Sequence, residues 1–196
     1  MNAPPVPLHD LLVRAGLRGA VLEQALSLFS ARRVDKGEPV LCQGERWVQA
    51  MFVERGILRM YFVDRDGKEF NKNFHAEGAL ICALTEAMAQ QPSLFGIAAV
   101  EATQLWVAPA DRLYTVLDAA GTWAPLRARL LEGLVTHKLQ REHDLLALDG
   151  AQRYAQFCAT HPQLANRLPL AHLATYLGLT NVSLSRIRRK LREAGD

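Results

Sequence analysis

Between Ser27 and Val107, apolar residues fall in short runs, several alternating with polar ones, and turn-forming residues divide the runs at regular intervals. That pattern predicts a small β-sandwich or barrel. Val40–Cys42 follows the Lys36-Gly37 turn, Val48–Glu54 runs up to Arg55-Gly56, and Ile57–Val63 alternates as far as Asp64-Arg65-Asp66-Gly67. Asp-Gly supplies the positive φ that a tight hairpin needs, so Lys68–Phe74 reads as the returning partner strand. Thr85–Gln90 predicts a helical turn inside the loop over Gly78–Gln91. Ile97–Val107 reads as one further strand, ended by Pro109, and Ala110–Leu117 as a short helix with Asp111 near its start.

The period changes at Trp123. From there to Leu148, Ala128, Leu131, Val135, Leu139 and Leu146 recur at helical spacing, and a second stripe of Leu126, Leu130 and Leu134 widens the apolar face. A long amphipathic helix is expected, one stripe covering the β-domain and the other, through Leu131, Val135 and Leu139, meeting a second copy of the chain. The alternative reading places both stripes in one intramolecular core. Asp149-Gly150 breaks the pattern, and Asp149 is placed to cap a helix over Ala151–Thr160. After a turn at His161-Pro162, two more helices complete a small all-α unit. The chain is thus expected to be α+β: an N-terminal helix and β-rich domain over residues 1–122, a dimerisation helix over 123–148 and a helical unit over 149–196.

Composition adds one decisive asymmetry. The 196 residues are 49% hydrophobic and 22% charged, enough for buried cores, and no apolar run approaches the roughly 18 residues of a membrane span. The opening MNAPPVPLHDLLVRAG has no apolar signal core, so a cytoplasmic protein with no membrane partner is expected. Net charge is only +3, yet residues 151–196 carry seven Lys/Arg against Glu193 and Asp196, leaving 16 basic and 18 acidic side chains before them. Positive charge is concentrated where a polyanion would bind. Cys42, Cys82 and Cys158 are too scattered for a disulfide framework or a thiolate metal site, and read as buried small hydrophobes.

The basic end also contains a core pattern. In LAHLATYLGLTNVSLSRIRRKL (170–191), Leu173, Leu177, Leu179, Leu184 and Ile187 fall where two crossed helices share one core. Ala174 is small at the closest approach, Gly178 suits the tight turn, and Thr180 is an N-cap that leaves first-turn N–H groups open to a phosphate. A second helix packed by Leu184, Ile187 and Leu191 presents Asn181, Val182, Ser183, Ser185, Arg186 and Arg189 on its other side. Arg pairs bidentately with guanine, Asn with adenine, and Val touches a thymine methyl, while Arg188, Arg189 and Lys190 are placed to neutralise phosphates. These features predict a helix-turn-helix that binds double-stranded DNA.

Nearly the whole chain resembles the cyclic-AMP receptor/fumarate-nitrate regulator (Crp/Fnr) superfamily of bacterial transcription factors. The resemblance rests on Lys36-Gly37-Glu38-Pro39-Val40-Leu41, Gln43-Gly44-Glu45, Phe52-Val53-Glu54-Arg55-Gly56, Asp64 to Glu69, Gly78, the QPSLF stretch of Gln91–Phe95, Arg153-Tyr154 and Tyr176-Leu177-Gly178 through Leu191. It implies a cyclic-nucleotide-binding-like β-roll (jelly roll), a homodimer joined by the long helix, and a winged helix-turn-helix reading a palindromic site, with RNA polymerase as a further partner. It also places Thr180, Asn181, Val182, Ser183, Ser185 and Arg186 at DNA, Arg186 at the position that commonly reads guanine. With the sequence ending at Asp196, the wing is expected to be reduced or absent.

The departures bear on the ligand. Where cyclic-nucleotide binders of the family have Gly-Glu-Leu, this chain has Cys82-Ala83-Leu84, and where they have Arg-Ser it has Ser93-Leu94. Without the Arg and Glu for the cyclic phosphate and ribose, cyclic AMP is not the expected effector, and no cofactor is identified. An unknown small-molecule effector is expected instead, with Cys82, Ala83, Leu84, Thr85, Ser93, Leu94 and Lys138 as its candidate site. Lys138 and Leu139 occupy positions where family members contact ligand across the dimer. His137 and His143 do not share a helix face, Cys158 and His161 read as a structural pair, and no catalytic motif occurs, so neither a metal site nor an enzyme is expected. Two rival readings stay open: a ligand-sensing β-roll acting through protein partners, and a ligand-independent regulator.

Overall fold

The computed structural model describes residues 3–193. The chain forms two compact units, Met1–Met60 with Phe74–Gly133 and Tyr61–Asn73 with Leu134–Asp196. In chain order the elements are α1 (Val6–Arg14), α2 (Gly19–Ser27), β1 (Ser30–Val34), β2 (Pro39–Leu41), β3 (Gln49–Arg55), β4 (Leu58–Val63), β5 (Glu69–His75), β6 (Leu80–Ile81) and α3 (Glu86–Gln90). There follow β7 (Gly96–Ala99), β8 (Thr103–Pro109), α4 (Ala110–Ala119), α5 (Trp123–Ala147), α6 (Gly150–Thr160), α7 (Pro162–Arg167), α8 (Leu170–Tyr176) and α9 (Asn181–Glu193).

The strands make two four-stranded sheets, ordered β1-β8-β3-β6 and β2-β7-β4-β5. β8 is the spine of the first, antiparallel to β1 through Ser30 opposite Val107 and to β3 through Phe52 opposite Trp106. Residues 50–53 of β3 and 105–108 of β8 are all apolar and buried, because both faces of the sheet are covered there. Met51, Val53, Leu105 and Val107 point into the sandwich with Leu58, Ile97 and Trp47. Their neighbours Ala50, Phe52, Trp106 and Ala108 point the other way, into a second core with Leu8, Leu12, Leu22, Leu113, Leu117 and Leu126 of the helices. Fully burying one such side chain stabilises the fold by roughly 1.5–3 kcal/mol. One glycine is dictated by close approach: Gly56 has φ +106°, and a Cβ there would sit 2.8 Å from the Thr103 Cα.

The antiparallel β-sandwich and the long helix match the expected α+β fold, with local corrections. Ile97–Val107 is two strands, because residues between β7 and β8 turn: the Val100 amide donates to the Ile57 carbonyl and the Thr103 hydroxyl to the Glu101 carbonyl. No Gly or Pro marks that turn. Two helices, α1 and α2, precede the sheet where one was expected. Among the described residues, no helix is long and apolar enough to cross a membrane.

In the second unit, Asp149 closes a capping box with Gln152, its carboxylate accepting the Gln152 amide at 2.8 Å. Arg153 ties α6 to the chain around it, donating from Nε to the Leu177 carbonyl and from Nη1 to that of Leu148. Beyond the turn at His161-Pro162 stand three helices, not two; the extra one, α7, has Pro162 in its first turn, where a missing N–H costs nothing. Phe157, Leu173, Ala174, Leu177 and Leu184 are buried. Gly178 has φ +67°, and a Cβ there would meet Leu145 at 3.2 Å. The expected wing would fall at the end of the chain, where residues 194–196 lie outside the described ones.

Candidate nucleic-acid interface

α8 and α9 are joined by Leu177 to Thr180, and the local sequence dictates how α9 begins. The Thr180 hydroxyl accepts the Ser183 amide at 3.1 Å, and the first helical bond runs from the Leu184 amide to the Thr180 carbonyl. Asn181 and Val182 therefore head the helix ahead of any intrahelical donor pairing, at its partially positive end. Leu184 is fully buried and anchors one side. Asn181, Val182, Ser185, Arg186, Arg189 and Lys190 are exposed, while Ser183, Ile187 and Arg188 are half-buried. Ser183 meets the Thr180 hydroxyl at 2.8 Å, and Arg189 pairs loosely with Glu193 at 3.8 Å. Leu191, expected in the packing face, is instead 45% exposed, in the last turn of α9.

Burial varies along the two stripes of the long helix α5, and Leu134 borders a hollow in the second unit. Leu126 is buried and Leu130 packs beside it on the helical core, whereas Val135 and Leu139 are exposed and Leu131 is half-buried. Leu146 is 82% exposed.

The expected ligand residues do not line one cavity. Ser93 and Leu94 border a hollow of about 120 Å³ with Trp47, Met88 and Phe95. Its Ser93 hydroxyl is engaged by its own loop, donating to the Phe95 carbonyl at 2.7 Å and accepting the Phe95 amide. Trp47 and Phe95 meet edge to face at 5.7 Å between ring centroids. Thr85 caps α3 through the Met88 amide. Cys82 and Leu84 instead join the helical core and Ala83 the sandwich core. Burial pushes the Cys82 thiol up to about 11, only partly offset by its hydrogen bond with Tyr114. The reading of all three cysteines as buried needs correction at Cys42, which is exposed in the turn after β2, and Cys158 is only partly covered.

Lys138 borders a different hollow, in the second unit, with Lys72 and Arg141. There a polar cluster that the sequence did not reveal holds the β4–β5 hairpin to α8. The Asn71 amide group donates to the Thr175 hydroxyl at 2.8 Å and the His172 carbonyl at 3.2 Å. Arg141 donates to the Tyr176 carbonyl at 2.7 Å and more weakly to that of Asn71, and its guanidinium lies 4.8 Å from the Tyr176 ring centroid. The Tyr176 hydroxyl meets His137 Nε2 at 3.3 Å. Asn71 and its partners on α8 are about 100 residues apart in the chain, so no local pattern announced the cluster.

The family model for the cyclic nucleotide-binding domain matches residues 31–120. Among solved structures, FixK2 from Bradyrhizobium japonicum superposes with a TM-score of 0.76 at 19% identity, covering 85% of this chain and 86% of that one. The c-di-GMP responsive global regulator CLP of Xanthomonas campestris gives 0.72 at 16% identity, covering 89% and 92%. A crp/fnr-family regulator from Eubacterium rectale gives 0.74 at 16% identity, covering 93% and 87%. A comparison with curated protein sequences finds no match.

Proposed function

The chain has the fold of the Crp/Fnr regulators, with a cyclic nucleotide-binding domain at residues 31–120, and from that premise we propose that it is a cytoplasmic, dimeric transcription regulator reading a palindromic operator. Residues 1–122 serve as the sensor, 123–148 as the dimerisation helix and 149–196 as the reading unit. α9 carries this reading: Leu184 anchors it, Thr180 caps it, and Asn181, Val182, Arg186 and Arg189 stand exposed away from the anchor. Arg186 reads a guanine, Asn181, Val182, Ser183 and Ser185 contact neighbouring base edges or phosphates with Thr180, and Arg188, Arg189 and Lys190 neutralise phosphates. Leu131, Val135 and Leu139 form the seam with the second copy, which sets the two α9 helices in successive major grooves. RNA polymerase is the downstream partner.

The effector is a small molecule other than cyclic AMP. Supporting this, the hollow bordered by Ser93 and Leu94 has no cation among its described lining residues, and the Ser93 hydroxyl is satisfied within its own loop. A cyclic phosphate brings a full negative charge that such a lining leaves unpaired.

The test is retention of genomic DNA fragments by the purified protein at two salt concentrations, beside Arg186→Ala. The expected result is one two-fold symmetric sequence, binding that weakens steeply with salt, and relaxed selectivity in the variant. Salt-insensitive retention with no enriched sequence would overturn DNA reading and favour a sensor that acts through protein partners.

A further inference from the structure

Away from α9, three cationic side chains converge on one hollow of the second unit. A cavity of about 370 Å³, within the range that small ligands occupy, lies between β5 and the second half of α5, all inside the second unit. Lys72, Lys138 and Arg141 line it, and Glu142 is the one acidic side chain among its described lining residues. Leu134 and Leu145 supply an apolar wall. The acceptors of the Arg141 guanidinium are the carbonyl oxygens of Asn71 and Tyr176, which carry no charge, and its Nε is buried without an acceptor. Burial, then the charges of Lys138 and Arg141, hold the Lys72 ammonium below its ordinary 10.5, so positive charge dominates its surroundings.

We propose that this cavity binds an organic anion, a carboxylate or phosphate ester with a compact apolar body, its charged group meeting Lys72, Lys138 and Arg141 and its body lying on Leu134 and Leu145. Gathered like charges raise the energy of the empty site, and an anion among them lowers it. An apolar body adds burial that inorganic phosphate lacks. Arg141 makes the site consequential, because the same guanidinium grips the Tyr176 carbonyl at the end of α8. Occupation therefore acts on the helix that α9 packs against. That regulatory role rests on DNA reading by α9; anion binding does not.

Calorimetric titration of the full chain without DNA tests the site, using octyl phosphate, octanoate, inorganic phosphate and octan-1-ol. The expected result is one octyl phosphate or octanoate per chain, the stronger of the two identifying the head group, with inorganic phosphate at least about tenfold weaker. Lys72→Met should weaken binding at least about tenfold and Lys138→Gln severalfold, while Lys36→Gln, exposed in the other unit, changes nothing. A thermal melt checks that each variant is folded, and Lys72→Arg, which keeps the charge, should retain binding. No uptake of any probe, equal affinity for octan-1-ol, or full affinity in folded Lys72→Met each overturns the site. The titration is then repeated on the operator complex. A change in DNA affinity that Lys72→Met abolishes supports the effector role, and unchanged DNA affinity with the anion bound overturns that role alone.

Discussion

At the scale of single residues, small differences in environment separate groups of the same type. Cys42 is exposed and Cys82 is buried with its thiol pushed up to about 11, so at pH 8 a thiol reagent should modify Cys42 in the native protein and reach Cys82 only on unfolding. Labelling followed by peptide mass analysis reads this directly. His137 is held below its ordinary 6.5, first by burial and then by His161 and Arg141. A base whose folded value is depressed contributes stability that is full above pH 6.5 and is lost as pH falls through the folded value, because the unfolded chain then takes up the proton more readily. The second unit should therefore weaken on the acid side, and His137→Gln should flatten that limb in denaturant melts followed between pH 5 and 8. Gly178 adopts φ +67° against Leu145, so Gly178→Ala should cost about 1–2 kcal/mol in the same melts.

Elements differ in how plainly they could be read. The hairpin over 64–67, the long helix and the Thr180 cap were legible because turn chemistry, a 3.6-residue period and a capping side chain are local signals. The turn between β7 and β8 was not, since Val100 is a strand-forming residue held out of a strand by its bond to the Ile57 carbonyl, and the Thr103 hydroxyl closes the turn on the Glu101 carbonyl at the first residue of β8. α7 hid behind Pro162, which reads as a break yet sits where a helix can begin. Of the candidate site, the reading face of α9 was visible from composition and spacing, whereas Asn71, Lys72 and Arg141 gained meaning only when folding brought β5 to α5 and α8. Two tests belong at this scale. Leu184→Ala removes the buried anchor of α9 and should cost about 2–5 kcal/mol by denaturant titration. Leu139→Glu, placed on the exposed stripe, should halve the mass seen by sedimentation and reduce DNA affinity, while leaving the thermal melt of the sandwich core in place.

For the whole molecule, the second unit is not one stretch of chain: Tyr61–Asn73 lies in the middle of the sensor sequence but groups with everything from Leu134 onward. Asn71 donates to the His172 carbonyl and the Thr175 hydroxyl, tying the earlier segment to the later one. Anyone who dissects or recombines such genes meets this directly. A truncated fragment starting at Leu134 leaves its hairpin behind, and a chimera made at one junction mates a foreign hairpin with α8. Exchangeable parts in this architecture need two junctions, with the 61–73 segment transplanted alongside the reading head.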